Sequence, residues 1–202
     1  MRLLILIAAM LVATACASPA GGGNSRPWTD ATGVVENAKL GIICSAVAVA
    51  PQIVVTASHC LGLGEVPPLT FNGAPAHVLK MGARVAHDHN LTMAVGRNDW
   101  ALLVIKQKMP WLPLAQAAYQ RVMPTMAGGY GRLRKQVSAA NCAPYFMTDP
   151  EVFVLSCEVR PGDSGGPVVA FDPTPVLVGI VVGTDGTHTM VVPAETFAPY
   201  LP

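Results

Sequence analysis

Three short segments of this 202-residue chain carry a potential nucleophile, base and acid. His59 follows a β-branched run, Asp99 stands directly before an apolar run, and Ser164 lies in the string Gly162-Asp163-Ser164-Gly165-Gly166-Pro167. A serine hydroxyl attacks carbonyl carbon when a base takes its proton and an acid orients that base. The three segments therefore predict acyl transfer with Ser164, His59 and Asp99 as the catalytic residues.

The glycines around Ser164 predict how the developing negative charge is stabilised. Gly162 and Gly165 permit backbone conformations that a side chain disfavours, so that consecutive N–H groups can point at one spot. We expect the N–H groups of Gly162 and Ser164 to form an oxyanion hole. A short glycine-flanked serine alone is more typical of an ordinary hairpin, but the longer string, together with the His and Asp segments, favours catalysis.

Asp99 is preferred as the acid over two other carboxylates. An ionised carboxylate at the mouth of an apolar strand needs a partner, and the imidazole of His59 would be held in the tautomer that leaves Nε2 as the base. Asp88 lies between two histidines and Asp163 adjoins the serine, but neither of them begins an apolar strand.

The elements that must position these residues are predicted to be strands. Hydrophobic residues make up 51% of the chain and charged residues 12%, so a sizeable core can be buried. Short β-branched runs recur between turn residues, which is typical of an all-β sandwich or barrel. We predict strands at residues 42–49, 53–56, 76–79, 101–105, 151–155, 167–170, 176–182 and 189–192. A short helix is predicted at 193–199, with Pro in its first position, and the proline-rich residues 110–113 mark a candidate seam between two units.

The first 16 residues predict export. A positively charged start precedes an apolar run of about ten residues, which fits a signal sequence and is too short for a permanent membrane helix. Cleavage after Ala17 would start the mature chain at Ser18, whereas a lipobox-like reading of residues 13–16 would lipidate Cys16. The glycine-rich stretch that follows favours the lipoprotein, although Ala13 replaces the usual leucine. We expect a secreted or periplasmic protein, or one anchored to the bacterial envelope and membrane through Cys16, with a flexible linker at 17–32.

Cysteine content and charge restrict the possible partners. Setting Cys16 aside leaves four cysteines, which in an exported chain predict two disulfides with three possible connectivities. Zinc ligation is disfavoured because no Cys-x-x-Cys or His-x-x-x-His pair occurs. The net charge of +1 gives no reason to expect a nucleic-acid partner. The oligomeric state is open, with a monomer as the default.

The strings Thr56-Ala57-Ser58-His59-Cys60, Asp99-Trp100-Ala101-Leu102-Leu103 and Gly162-Asp163-Ser164-Gly165-Gly166-Pro167 resemble the three signature blocks of the trypsin/chymotrypsin family, in that family's order. The resemblance covers roughly residues 33–201. It implies two packed six-stranded Greek-key β-barrels, about 33–109 and 113–202, with the first two residues of the triad on one barrel, the serine on the other and a cleft between them. It also implies a serine endopeptidase that acts on proteins or peptides through an acyl-enzyme and needs no metal or organic cofactor.

Disulfides and activation follow from the same resemblance. The pair Cys44–Cys60 matches the family's disulfide around the histidine, and Cys142–Cys157 resembles compact bacterial members, including the glutamyl-endopeptidase-like group. The basic residue and Ile-Val-Gly-Gly activation sequence are missing, so Asp163 must find a partner other than a new N-terminus, with an arginine as one candidate.

The residues that would select the substrate remain open between two hypotheses. By its position relative to Ser164, Glu158 corresponds to the base of the family's specificity pocket, where a carboxylate favours Arg or Lys; alternatively it faces solvent. Val182 and Gly183 replace the serine and the aromatic residue usual in the pocket-lining strand. His188 and Thr184 offer a rival pocket for Glu.

Two other functions share these features. A non-catalytic envelope-binding module could use the same fold, although such proteins typically lose a member of the triad. An esterase would share the mechanism and differ in its substrates.

Overall fold

The computed structural model describes residues 27–83, 96–115, 125–130, 138–145, 153–172 and 174–202. The signal sequence, the lipobox with Cys16, and Asp88 lie outside these residues. None of the described helices is both long enough and apolar enough to cross a membrane.

The first unit of the fold is a closed six-stranded barrel. Its strands are β1 (Thr32–Asn37), β2 (Ile42–Ala50), β3 (Ile53–Thr56), β4 (Leu69–Phe71), β5 (Ala74–Met81) and β6 (Ala101–Ile105). They follow one another around the barrel in the order β1-β2-β3-β6-β5-β4, and every neighbouring pair is antiparallel. Closure pairs every strand on both sides, so the barrel has no free edge.

The second unit is a seven-stranded antiparallel sheet in the order β8-β7-β11-β12-β13-β10-β9. Its strands are β7 (Thr125–Gly129), β8 (Ser138–Cys142), β9 (Pro144–Tyr145), β10 (Phe153–Leu155), β11 (Pro167–Asp172), β12 (Thr174–Thr184) and β13 (Thr189–Pro193). The described residues therefore form a second sheet where a second six-stranded barrel was expected. Only Ala143 separates β8 from β9, the two outer strands, so the sheet must curl until its edges lie close together.

Short helices begin and end the described chain. Helix α1 (Pro27–Asp30) precedes β1, and α2 (Ala194–Phe197) follows β13 and continues into the 3₁₀ turn Ala198–Tyr200. The predicted C-terminal helix is thus present, although Pro193 is its N-cap and the last residue of β13. Trp28 and Ala31 are buried in the core although these positions were expected to belong to the flexible linker, so the ordered structure starts before residue 33.

The segment that links the two units is held by hydrogen bonds to both of them. Leu112 donates its N–H to the carbonyl of Ala48 in β2 at 3.0 Å. Ala115 donates to the carbonyl of Leu177 in β12 at 2.8 Å, and Leu177 donates back to Pro113 at 2.8 Å. Residues 112–115 therefore bond to the barrel on one side and to the sheet on the other.

Candidate active site

His59 and Asp99 are brought together by the pairing of β3 with β6. The register places Thr56, the last residue of β3, opposite Ala101, the first residue of β6. Because the strands are antiparallel, the chain leaving β3 and the chain entering β6 lie at the same end of the barrel. His59 sits in the 3₁₀ turn Ser58–Leu61 that follows β3, and Asp99 lies two residues before β6.

The carboxylate of Asp99 is fully buried and accepts three hydrogen bonds. Its Oδ2 lies 2.6 Å from Nδ1 of His59. Its Oδ1 accepts from the backbone N–H of His59 and from the hydroxyl of Ser58, each at 2.8 Å. A buried carboxylate is tolerated when donors surround it. These donors come from the histidine turn, so Asp99 fixes both the backbone and the ring of His59.

This contact sets the tautomer of His59. An ionised carboxylate only accepts hydrogen bonds, so the nitrogen facing it carries the proton. With Nδ1 protonated, Nε2 has the lone pair and is the atom able to accept a proton. The arrangement is that of a general base oriented by a carboxylate.

Ser164 lies in a tight turn, residues 160–166, called here the serine turn. Asp163 donates its N–H to the carbonyl of Arg160 at 2.9 Å, and Gly166 donates to the carbonyl of Asp163 at 2.8 Å. Gly162 and Gly165 have φ values of 95° and 77°, which only glycine adopts readily. Ser164 is partly exposed, as a nucleophile for an external substrate must be.

The serine turn packs against the segment that leads to His59. A Cβ on Gly165 would lie 2.9 Å from the backbone nitrogen of Ala57, two residues before the histidine. The N–H of Gly165 also donates to Val181 in β12 at 2.7 Å, and Val181 donates back to Gly166 at 2.9 Å. Glycine at 165 thus lets the turn approach the histidine segment while β12 holds it from the other side.

Two N–H groups of the serine turn donate no hydrogen bond to the residues that the structure describes. They are those of Gly162 and Ser164, whereas the N–H groups of Asp163, Gly165 and Gly166 all donate. Backbone N–H groups in a tight turn are donors of the type that can bind an oxyanion.

Asp163, next to Ser164, is buried. Its Oδ2 accepts the backbone N–H of Arg160 at 2.9 Å. A Cβ on Gly129 of β7 would lie 2.9 Å from its Oδ1, so Asp163 fills the space that the glycine leaves. The Asp163 carboxylate therefore stabilises the serine turn through its hydrogen bond to Arg160.

Both expected disulfides are present in the structure. Cys44 in β2 is bonded to Cys60 in the histidine turn, and Cys142 at the end of β8 is bonded to Cys157 after β10. The sulfurs of Cys44 and Cys60 and a ring nitrogen of His59 lie within 4.8 Å of one another, which are donor types that bind metals. Because both sulfurs are used in the disulfide, this cluster does not hold a metal in the oxidised protein.

The candidate specificity residues lie around the hairpin between β12 and β13. Glu158 and Thr184 are exposed, Val182 is buried, and Gly183 and His188 are partly buried. The exposure of Glu158 agrees with the solvent-facing alternative and differs from a buried pocket base. The structure thus places His188 and Thr184 together in one hairpin, where the Thr184 hydroxyl donates to the carbonyl of His188 at 2.7 Å.

His188 is held in this hairpin by Asp185. One oxygen of the Asp185 carboxylate accepts the backbone N–H groups of His188 and Thr187, at 2.6 and 2.8 Å. The other lies 3.0 Å from Nδ1 of the His188 ring. These bonds, first the backbone N–H of His188 and then its ring, hold the pKa of Asp185 well below its usual range. The carboxylate is therefore charged near neutral pH and orients the His188 ring.

Sequence reasoning missed Ser45, a fully buried residue of β2. Its N–H donates to the carbonyl of Ser164 at 2.8 Å, and its hydroxyl donates to the carbonyl of Gly162 at 2.8 Å. Its own carbonyl accepts the Thr56 hydroxyl at 2.7 Å. Ser45 thus links the end of the histidine strand to the serine turn. A serine inside an apolar run was the only signal in the sequence, and it does not point to a site.

The fold is all-β: a closed barrel whose loops hold His59 and Asp99, and a second antiparallel sheet whose serine turn holds Ser164. The sequence model described as trypsin-like peptidase domain matches residues 44–180, and the chain belongs to that family. No curated protein matches the chain. In the solved structures, the chain is similar to the protease Rv3671c in its inactive form, with a TM-score of 0.59 and 20% identity over 85% of this chain and 87% of that one. This likeness concerns the fold.

Proposed function

We propose that this peptidase is an exported serine endopeptidase with His59, Asp99 and Ser164 as its triad. The observation that carries the proposal is the buried Asp99 carboxylate, whose Oδ2 lies 2.6 Å from Nδ1 of His59. Burying a charge is costly unless it is paired and hydrogen-bonded. Here three donors from the histidine turn satisfy the carboxylate, which would orient His59 as the base.

In the proposed mechanism the Ser164 hydroxyl oxygen attacks the carbonyl carbon of the substrate while Nε2 of His59 takes its proton. The N–H groups of Gly162 and Ser164 bind the resulting oxyanion. Collapse of the intermediate breaks the C–N bond, and the imidazolium returns the proton to the leaving amine. A water molecule, deprotonated by His59, then hydrolyses the acyl-enzyme and restores Ser164.

The same proposal includes the finer architecture. If β8 and β9 are counted as one strand bent at Ala143, the second sheet becomes six strands whose order closes on itself. We propose that this unit is the second barrel of a chymotrypsin-like fold and that the cleft between the two barrels binds the substrate.

The triad is tested by active-site labelling of the full-length chain, expressed with export to an oxidising compartment so that both disulfides form. We expect a fluorophosphonate probe to label the wild type and the Ser156→Ala variant, because Ser156 is exposed and its hydroxyl donates to the carbonyl of Ala143. Ser164→Ala should lose both the labelling and the cleavage of a mixed peptide library.

A folded wild-type protein that neither reacts with the probe nor cleaves peptides would contradict the serine mechanism. It would favour a binding module on a protease fold. Labelling without peptide cleavage would instead indicate an esterase. The residues before the cut sites would decide between basic specificity at Glu158 and acidic specificity at His188.

Two disulfides fit an extracellular or periplasmic location, and we further propose that Cys16 carries a lipid anchor. Metabolic labelling with an alkynyl fatty acid should mark the wild-type protein but not Cys16→Ala, and only the wild type should partition into detergent. Release of unlabelled wild-type protein into the medium would overturn the anchor and leave the secreted form.

A further inference from the structure

The hydroxyl and the backbone N–H of Ser45 together make three hydrogen bonds, and two of them are to the serine turn. Its hydroxyl donates to the carbonyl of Gly162 at 2.8 Å and accepts the N–H of Tyr130 at 2.7 Å. Its N–H holds the carbonyl of Ser164 at 2.8 Å. Ser45 is fully buried, and the carbonyl of Gly162 and the N–H of Tyr130 would both lose a protein partner if its hydroxyl were removed.

The two carbonyls that Ser45 holds flank the nucleophile. The peptide unit joining Gly162 to Asp163 is fixed on one side by the Ser45 hydroxyl and on the other by the bond from Asp163 to Arg160. The unit joining Ser164 to Gly165 is fixed by the N–H of Ser45 and by the carbonyl of Val181. The N–H of Ser164 belongs to the peptide unit between these two fixed units. The N–H of Gly162 belongs to the unit just before them.

Gly162 is the residue at which the backbone of the serine turn can change conformation. Its φ of 95° lies in a region where glycine rotates with little steric resistance. Without the Ser45 hydroxyl, the carbonyl of the partly buried Gly162 would lose this donor, and the peptide unit could turn to find another. Such a turn would change the direction of the Gly162 N–H relative to that of Ser164.

We propose that Ser45 is a positioning residue that aims the oxyanion donors through its hydroxyl bond to Gly162. This inference rests on the proposed serine mechanism and names a residue that acts through the serine turn without touching substrate. Because the oxyanion forms only in the transition state, the hydroxyl should matter for kcat and not for substrate binding.

The shape of the surrounding backbone supports this role. A Cβ on Gly129 would lie 2.5 Å from the Ser45 hydroxyl oxygen and 2.8 Å from the Cα of Asp163. The hydroxyl of Ser45 therefore lies close to both β7 and the serine turn.

The test compares wild type, Ser45→Ala and the control Thr32→Val in full-length protein, using a peptide substrate taken from the library cleavage. Thr32 also buries a hydroxyl that donates to a backbone carbonyl, that of Trp28 at 2.8 Å, but outside the serine turn. We expect Ser45→Ala to lower kcat about 10- to 100-fold with KM unchanged, less than the 10²- to 10³-fold loss of an oxyanion donor itself. Its affinity for a peptide boronate, which forms a tetrahedral adduct, should fall by a similar factor.

The remaining outcomes separate this inference from the proposed function. Unchanged kcat in folded Ser45→Ala would overturn the positioning role and leave the triad intact. Equal losses in Ser45→Ala and Thr32→Val, tracking the thermal midpoint, would also overturn it, because they indicate a general effect on stability. A wild type with no serine-dependent cleavage would overturn both proposals.

Discussion

At the scale of single residues, the site depends on how completely each polar group is satisfied. Asp99 is fully buried and uses its two oxygens for three donors. Each donor belongs to Ser58 or His59, which are neighbours in one short turn. One carboxylate thus fixes a whole turn, and removing its charge should change the chemistry more than the fold.

We therefore expect Asp99→Asn to lower kcat by about 10⁴-fold, because an amide that donates toward Nδ1 favours the wrong tautomer of His59. The exposed Asp30 in α1 provides the matched control, and Asp30→Asn should retain wild-type activity. Steady-state kinetics on the same peptide measure both. A loss below tenfold would show that Asp99 does not orient the base.

Residue types suggested candidate site residues where the chemistry restricts the choice, and gave no signal where a role depends on tertiary contact alone. A histidine after a strand, an acid before one and a glycine-flanked serine carry a local signal. Ser45 carries none, because its hydrogen-bond partner Gly162 is 117 residues away in sequence. Glu158 was aligned by its distance from Ser164, but the position of a loop residue depends on the local path of the chain, and the residue is exposed.

At the scale of elements, two disulfides fasten the segments that lead into the site. Cys44–Cys60 ties the histidine turn to β2, next to Ser45. Cys142–Cys157 ties β8 to the segment between β10 and the serine turn, with a sequence separation of 15. The first disulfide holds the turn that contains His59, and the second holds the segment that leads into the serine turn.

Removing the second bridge with the double variant Cys142→Ser and Cys157→Ser should lower the free energy of unfolding by about 3 kcal/mol, as expected for closing a loop of this length. Urea denaturation at equilibrium measures the change. An unfolding curve that coincides with that of the wild type would mean that the bridge adds no stability.

Strands were predictable where β-branched runs were continuous. The expected strands at 42–49, 53–56 and 101–105 match β2, β3 and β6 closely, because these strands line the buried interior of the barrel. β1, β4, β7, β8 and β9 were missed. β1 and β7 contain glycine, β4 and β9 are short, and β8 has no β-branched residue. They become strands because neighbouring strands supply the hydrogen bonds.

At the scale of the whole molecule, the C-terminal residues pack against the chain next to Asp99. Phe197 of α2 is fully buried with its ring centroid 6.3 Å from that of Trp100, and the ring of Tyr200 stacks on Trp100 at 5.1 Å. Trp100 follows Asp99 directly. The C-terminal residues therefore pack against the segment that contains Asp99.

Phe197→Ala should lower the free energy of unfolding by about 3–5 kcal/mol, since it leaves a cavity against Trp100. Phe171→Ala is the control, because Phe171 is 40% exposed and its truncation leaves no comparable cavity. Chemical denaturation followed by tryptophan fluorescence measures both. Equal small losses in the two variants would place α2 outside the cooperative core.

The bonds from Ser45 to the serine turn also have a consequence for the timing of folding. The barrel is built from the first half of the chain, and its His–Asp pair can form as soon as β6 has paired with β3. The serine turn acquires its shape only when residues more than a hundred positions later dock on β2. A chain that emerges N-terminus first would thus complete its base long before its nucleophile is aligned. On the proposed mechanism, a nascent or partly folded chain would therefore not cleave neighbouring proteins until the serine turn has bonded to Ser45.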